Sequence, residues 1–94
     1  MWEVRGSQRV AKLIAGFDPE VRKAYSRAFK RLSETPNLGK SLRGHEELRS
    51  IPVTTTSGEH RIIYRLMPRE CVVYVVLVGS REGIYELLER RGPG

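Results

Sequence analysis

Cysteine, histidine and aromatic residues are scarce in this chain of 94 residues. It contains one cysteine, Cys71, and two histidines, His45 and His60. A single cysteine excludes a disulfide within the chain and a zinc site built from several cysteines. The two histidines lie in different predicted elements, so the sequence specifies no metal site. For His60 we expect a histidine on the surface of a sheet, and for Cys71 a small buried apolar side chain rather than a nucleophile.

Long apolar segments are also missing. The longest apolar run, Val72 to Gly79, is far shorter than the roughly 18 residues that a membrane-spanning helix needs. The first ten residues, MWEVRGSQRV, carry charges where a signal peptide has an apolar stretch. With 39% hydrophobic and 30% charged residues, the composition is typical of one globular domain over residues 1–94. We expect a cytoplasmic protein with no membrane partner, whose last three residues are frayed.

Positive charge is what the sequence has in excess. It contains 17 basic and 11 acidic residues, which gives a formal net charge of +6, and thirteen of the basic residues are arginines. The guanidinium group presents a planar set of donors that suits phosphate, and it stays charged at any physiological pH. A nucleic acid is therefore the favoured class of partner. A basic composition by itself is equally compatible with a protein that binds no specific nucleic acid.

The first half of the chain has the pattern of a strand followed by an antiparallel pair of helices. Trp2–Arg5 alternates like a short strand. Ser7 is a suitable N-cap for a first helix that Gly16 ends. The segment Asp18–Glu20 has the start signals of a second helix, which ends before Pro36. One apolar stripe runs along this second helix, formed by Val21, Ala24, Tyr25, Ala28, Phe29 and Leu32.

The second half has the pattern of three strands and a last helix. Strands are predicted at Leu48–Thr56, Glu59–Leu66 and Cys71–Val78, and a helix at about Glu82–Arg91. Pro52 has no amide proton, which places the first of these strands at an edge or a bulge. The β-branched and aromatic residues of the third are typical of a central strand buried on both faces. The fold class is therefore α+β with the order β-α-α-β-β-β-α, a curved antiparallel sheet packed against a helical hairpin.

Arginines and a tyrosine near the strand ends are candidates for a functional site. Alternation along the second of these strands places Arg61, Ile63 and Arg65 on one face. Arg81 follows the third strand, and Tyr85 lies one helical turn later. Arginine can stabilise a phosphate on which charge develops, and tyrosine can donate a proton, orient a group or stack on a base. The same spacing suits a structural role, in which Arg81 and Tyr85 only cap and pack the last helix.

The order of these motifs resembles the RelE/ParE superfamily of bacterial toxins over about residues 1–90. The resemblance lies in Leu42-Arg43-Gly44, in HRIIY at His60–Tyr64 and in VLVGSREGIY at Val76–Tyr85. It implies a toxin of a type II toxin–antitoxin system, closer to the RelE-like mRNA interferases, which cut mRNA in the ribosomal A site. These endoribonucleases use the 2′-hydroxyl of the RNA as nucleophile and need no metal or other cofactor. The implied partners are mRNA on the ribosome and a cognate antitoxin, with which the toxin would form a hetero-oligomer.

The resemblance also implies roles for individual residues. Arg61 would hold the scissile phosphate, Arg81 would stabilise the transition state, and Tyr85 would position the substrate or stack on it. Arg43, in the Leu-Arg-Gly match, would contact RNA. We assign two further cations of the predicted sheet, Arg49 and Arg65, to RNA binding as well.

The general base is not assigned by this resemblance. Pro52 and Thr54 stand where RelE has lysines. The tripeptide Glu59–Arg61 is more similar to the YoeB branch, which uses a glutamate base and a histidine near its C-terminus, but this chain has no histidine there. Glu46 or Glu47 could supply the acid. A ParE-like toxin that inhibits DNA gyrase without catalysis, or a degenerate inactive relative, stays open as the alternative.

Overall fold

The computed structural model of the chain describes residues 1–91, in which five strands and three helices follow the order β-α-α-β-β-β-β-α. The strands are β1 (Glu3–Gly6), β2 (Lys40–Leu42), β3 (His45–Thr55), β4 (Gly58–Met67) and β5 (Val72–Ser80). The helices are α1 (Gln8–Ala15), α2 (Pro19–Glu34) and α3 (Arg81–Arg91). The predicted α+β class and order are confirmed, with β2 as an additional short strand. The frayed end expected at residues 92–94 lies outside the described residues.

The strands form one mixed sheet in the order β1-β5-β4-β3-β2. The pairs β2–β3, β3–β4 and β4–β5 are antiparallel, as predicted. β1 differs from the prediction because it lies parallel to β5, with Glu3 opposite Val72. A parallel neighbour needs a long crossover connection, and the two helices and the intervening strands between β1 and β5 supply it.

Two serines fix where helices begin. Ser7 Oγ accepts a hydrogen bond from the Val10 N–H at 3.2 Å and so caps α1, as predicted. Ser80 Oγ accepts one from the Gly83 N–H at 3.3 Å, so α3 begins at Arg81, one residue earlier than expected. None of the three helices in residues 1–91 has the length and apolarity to cross a membrane.

Helices cover both faces of the sheet. The apolar stripe of α2 packs, together with α1, on the face that carries Ile62 and Tyr64 of β4. Ile63 faces the other way and packs against Ile84 and Leu88 of α3. The alternation predicted for β4 is therefore confirmed, and Arg61 lies on the α3 face with Ile63.

β3 is much longer than its outer neighbour β2, so part of β3 is an edge. The last β2–β3 pair joins Lys40 to Ser50. Pro52 lies beyond that pair and is matched only with Arg61 of β4. Since proline cannot donate a ladder hydrogen bond, it suits this edge position, which confirms the prediction. A notch opens beside Pro52 where β2 stops.

Cys71 corrects one expectation, because it does not lie in the core. It is exposed, in the turn before β5, and its φ is 54°. This left-handed conformation is uncommon for a residue other than glycine. Cys71 adopts this conformation in a turn that is closed by a hydrogen bond from its backbone nitrogen to the Pro68 carbonyl oxygen, at 3.2 Å. The buried strand therefore begins one residue later, at Val72.

Candidate functional site

A cleft of about 430 Å³ opens in the notch where β2 stops beside β3. Side chains from α2, β2, β3, β4 and α3 line it. No carboxylate in residues 1–91 lines it, and its charged and hydroxyl groups belong to Arg31, Lys40, Ser41, Ser50, Arg61 and Tyr85. A concave surface whose charged groups are all positive concentrates a positive electrostatic potential. Such a potential suits an anionic ligand such as a phosphodiester.

Arg61 forms one wall of this cleft. Its side chain is 23% exposed, and Nη1 lies 3.4 Å from Ser50 Oγ. Its Nε is buried and has no hydrogen-bond partner among the described residues. A buried donor without a partner is costly, so the contacts of the guanidinium with Ser50 and Glu59 must hold Arg61 in this position.

Glu59 brings Arg61 and Arg81 together. Glu59 Oε2 lies 3.5 Å from Arg61 Nη2 and 3.6 Å from Arg81 Nε. Neither contact has hydrogen-bond geometry, so the attraction is between charges only. The contact with Arg81 is weak because the Arg81 side chain is 68% exposed and water screens the pair. Two of the predicted site residues therefore converge on one carboxylate that neutralises part of their charge.

Tyr85 lies on the first turns of α3, where it lines the cleft and is 38% exposed. Its neighbours Ile84 and Leu88 are buried against the sheet and hold the helix in place. Tyr85 itself does not belong to this buried cluster. Its ring is available at the mouth of the cleft for contact with a ligand.

The three arginines assigned to RNA binding do not appear among the described residues that line the cleft. Arg43 is exposed in the turn between β2 and β3. Arg49 Nη1 donates to the Gly39 carbonyl oxygen at 2.7 Å and so braces the segment before β2. Arg65 lies over the ring of Tyr74, at 5.9 Å from its centroid. An RNA contact by any of the three stays a prediction.

Several cleft residues were not singled out from the sequence, among them the polar residues Arg31, Lys40, Ser41 and Ser50. Arg31 is one of several cations on the polar faces of α2, and Lys40 belongs to the strand that was not predicted. They meet only in the folded chain, so no local motif marks them. The single signal in the sequence was the excess of basic residues.

The acids considered as general base lie elsewhere. Glu46 and Glu47 are exposed on β3, and neither lines the cleft. Pro52 lines the cleft itself, but its side chain has no group that can accept a proton. Among the described residues, Glu59 is the carboxylate in contact with an arginine of the cleft. Within residues 1–91, no three His, Cys, Asp or Glu side chains come together as a metal site.

His60 faces away from the cleft and packs in an aromatic cluster, not on an open sheet surface as expected. Its Nδ1 lies 2.8 Å from the Tyr25 hydroxyl, and the Phe17 ring meets it edge-on at 5.2 Å between centroids. Burial lowers the pKa of His60, and burial raises the pKa of Tyr25. Both shifts favour the neutral side chains that an aromatic core accommodates.

Comparison with known proteins relates this architecture to bacterial toxins. A family profile for the ParE toxin of the type II toxin–antitoxin system parDE matches residues 8–85. A mutant of the E. coli toxin RelE in the free state is 22% identical, with a TM-score of 0.76 and 97% of each chain covered. The E. coli RelBE toxin–antitoxin complex gives 23% identity and a TM-score of 0.74, over 85% of this chain and 96% of that one.

A mycobacterial structure is similar as well. The toxin–antitoxin complex RelBE2 from Mycobacterium tuberculosis gives 25% identity and a TM-score of 0.71, over 85% of this chain and 91% of that one. No curated protein sequence matches the chain. The fold and the profile together define the class, a toxin of type II toxin–antitoxin systems. Within that class, the chain belongs to the ParE toxin family of the RelE/ParE superfamily.

Proposed function

We propose that this toxin is a ribosome-dependent mRNA endoribonuclease, acting in the cytoplasm and held inactive by a cognate antitoxin. The observation that carries the proposal is the convergence of Arg61, Arg81 and Tyr85 at one end of β4, beside a cleft without carboxylates in its described lining. The antitoxin is proposed because the similar E. coli and M. tuberculosis proteins were solved as toxin–antitoxin complexes.

The proposed reaction uses the RNA as its own nucleophile. The 2′-hydroxyl oxygen attacks the adjacent phosphorus, and the bond from phosphorus to the 5′ oxygen of the next nucleotide breaks. The products carry a 2′,3′-cyclic phosphate and a 5′-hydroxyl. The 2′-hydroxyl gives up one proton and the leaving oxygen takes one, so the step balances without a further reactant.

The residues at the cleft can supply what this reaction needs. Arg61 binds the scissile phosphate and stabilises the negative charge that builds up on its oxygens. Arg81 adds positive charge and does not donate a proton, because a guanidinium does not deprotonate in proteins. Tyr85 orients the substrate or stacks on a base.

Two further groups are assigned to proton transfer. We assign the proton acceptor to Glu59, whose carboxylate lies outside the cleft lining but contacts Arg61 in the wall, and the donor to Lys40, which lines the cleft. A positioned acid or base contributes about 10²–10⁴-fold to such a rate. RelE has lysines at the positions of Pro52 and Thr54. In this assignment, Glu59 and Lys40 take over their role in proton transfer.

The family profile supports a second candidate, non-catalytic inhibition of DNA gyrase, because the profile is that of ParE toxins. In that case the cleft would bind a partner, and its arginines would take no part in a reaction.

One experiment separates the two functions. The toxin is added to purified mRNA with and without ribosomes, and in parallel to a DNA gyrase supercoiling assay. The proposal predicts cuts in mRNA only when ribosomes are present, none with the double variant Arg61→Ala/Arg81→Ala, and normal supercoiling. Intact mRNA together with inhibited supercoiling would replace the proposed function by the second candidate.

A further inference from the structure

A second groove continues the cleft across the edge of the sheet. This groove has a volume of about 330 Å³ and lies between α2 and the free end of β3. It shares two residues, Arg31 and Pro52, with the cleft. The two cavities therefore form one concave path that passes Pro52, from the α3 face of the sheet to the face covered by α2.

Four cations lie along this path, which we call the basic track: Arg61, Lys40, Arg31 and Arg27. No carboxylate in residues 1–91 lines either cavity. Within the same residues, Arg27, Arg31 and Lys40 donate no side-chain hydrogen bond and form no ion pair. Other cations are already engaged, as in the pairs of Arg5 with Glu3 at 2.6 Å and of Arg90 with Glu86 at 2.9 Å. Glu59 neutralises part of the charge of Arg61, whereas the positive charge of Arg27, Arg31 and Lys40 is not paired with a carboxylate of the described residues.

The placement of the two α2 arginines suits an extended polyanion. Arg27 and Arg31 are both exposed and lie one helical turn apart, about 6 Å along the axis. They border the buried stripe of α2 that contains Ala24 and Ala28, and these small side chains leave the groove open. Lys23 and Lys30 are exposed beside Arg27 on the part of α2 that faces away from the sheet, and they line neither cavity.

We propose that the basic track binds the single-stranded RNA that flanks the scissile phosphate, so that the strand leaves the cleft over Pro52 and continues along α2. This inference rests on the proposed function, because it needs RNA in the cleft. A single strand is favoured over a duplex since the path turns around the edge of one strand, β3, which a rigid double helix cannot follow. RNA is favoured over an acidic peptide because Tyr85, at the other end of the path, offers an exposed ring for a base.

The test compares two double variants of α2 that remove the same charge. Arg27→Gln/Arg31→Gln removes two cations of the basic track, and Lys23→Gln/Lys30→Gln removes two from the outer side of the helix. Binding of the full-length toxin is measured by fluorescence anisotropy, using 2′-O-methyl oligouridylate that cannot be cut. Two lengths are used, about four and about twelve nucleotides.

The basic track predicts only a small difference between the two double variants for the short RNA, because that RNA stays in the cleft and there reaches Arg31 but not Arg27. For the long RNA, Arg27→Gln/Arg31→Gln should bind at least about fivefold more weakly than Lys23→Gln/Lys30→Gln. The slope of log K against log salt should also become shallower by about 1.4 for this variant. Each single-strand phosphate contact contributes about 0.7 to the slope, and the variant loses two such contacts.

Equal losses in the two double variants would overturn the inference, because the effect would then be one of net charge. It would be overturned as well if the long RNA bound no more tightly than the short one, or if Arg27→Gln/Arg31→Gln weakened only the binding of an acidic antitoxin segment. Arg61→Gln separates these outcomes from failure of the proposed function. If the wild type binds neither RNA, or Arg61→Gln changes neither affinity, the RNA site itself is wrong and the basic track with it.

Discussion

At the scale of single residues, Glu59 holds two opposing roles in the proposed site. Its Oε2 contacts the guanidinium groups of Arg61 and Arg81, so it neutralises charge that would otherwise attract phosphate. It is also the carboxylate assigned to accept the proton of the 2′-hydroxyl. These two roles make opposite demands on RNA binding and on RNA cleavage, and one substitution separates them.

Glu59→Gln should therefore tighten RNA binding and slow RNA cleavage. Removing the negative charge leaves Arg61 and Arg81 free to pair with phosphate, so affinity rises several-fold at low salt and the gain disappears at high salt. Losing the proton acceptor lowers the cleavage rate by about 10²–10⁴-fold. Binding to uncleavable RNA and single-turnover cleavage measure the two effects. A variant in which affinity and rate both fall would show that Glu59 only braces Arg61.

His60 should make the stability of the protein depend on pH. Burial lowers the pKa of His60 below the value of 6.5 that it has in an unfolded chain. As the pH falls below about 6.5, His60 therefore takes up a proton more readily in the unfolded state than in the folded state. The contribution to stability is thus complete above about pH 6.5 and is lost as the pH falls towards the lowered pKa.

Urea unfolding at about pH 7.5 and about pH 5 measures this dependence. We expect His60→Gln to lose less stability on acidification than the wild type. His45→Gln is the control, because His45 lies outside the aromatic cluster, and it should keep the wild-type response. If His60→Gln and the wild type lose the same stability, the acid sensitivity has another source.

At the scale of elements, the segment before β2 is positioned by the interior of the sheet. The Tyr64 hydroxyl donates to the Pro36 carbonyl oxygen at 2.9 Å and accepts from the Gly39 N–H at 2.8 Å. A Cβ on Gly39 would lie 2.7 Å from that hydroxyl and 2.9 Å from the Ser50 carbonyl oxygen, so only glycine fits. Since Lys40 follows directly, these contacts also position one wall of the cleft.

Tyr64→Phe should destabilise the protein by about 1–3 kcal/mol, because it leaves polar groups of this segment without partners. It should also slow RNA cleavage, since Lys40 loses its fixed position. Tyr74→Phe is the matched control on the neighbouring strand β5, because among the described residues the Tyr74 hydroxyl makes no hydrogen bond. Urea unfolding and the cleavage assay report on the two effects. Equal results for the two variants would contradict a role for the Tyr64 hydroxyl in holding this segment.

Most elements could be predicted because their signals are local. The stripe of α2, the cap at Ser7 and the valines of β5 all depend on neighbours in the chain. β2 has only three residues and shows no periodicity. A bulge in β5, where Ile63 pairs with Leu77 but Tyr64 with Val75, turns Val76 and Leu77 to the same face. Such a break in alternation depends on how β5 pairs with β4, so the local sequence of β5 does not predict it.

At the scale of the whole molecule, only part of the site could be predicted. The sequence indicated Arg61, Arg81 and Tyr85 through their order in the chain. It could not place Arg31 and Lys40 beside them, since the cleft exists only where α2, β2 and β3 meet around the end of a short strand. The contact of Glu59 with two arginines likewise follows from the position of α3 after β5, a consequence of the sheet order.

The central claim is that the scissile phosphate lies at Arg61, and the most direct measurement compares two arginines of one hairpin. Arg69 is exposed in the turn between β4 and β5, at the opposite end of that hairpin from Arg61. Ribosome-dependent mRNA cleavage is measured for Arg61→Gln and Arg69→Gln, which remove the same charge. We predict a loss of about 10²–10³-fold for Arg61→Gln and less than about twofold for Arg69→Gln. Equal rates for the two variants would contradict the account.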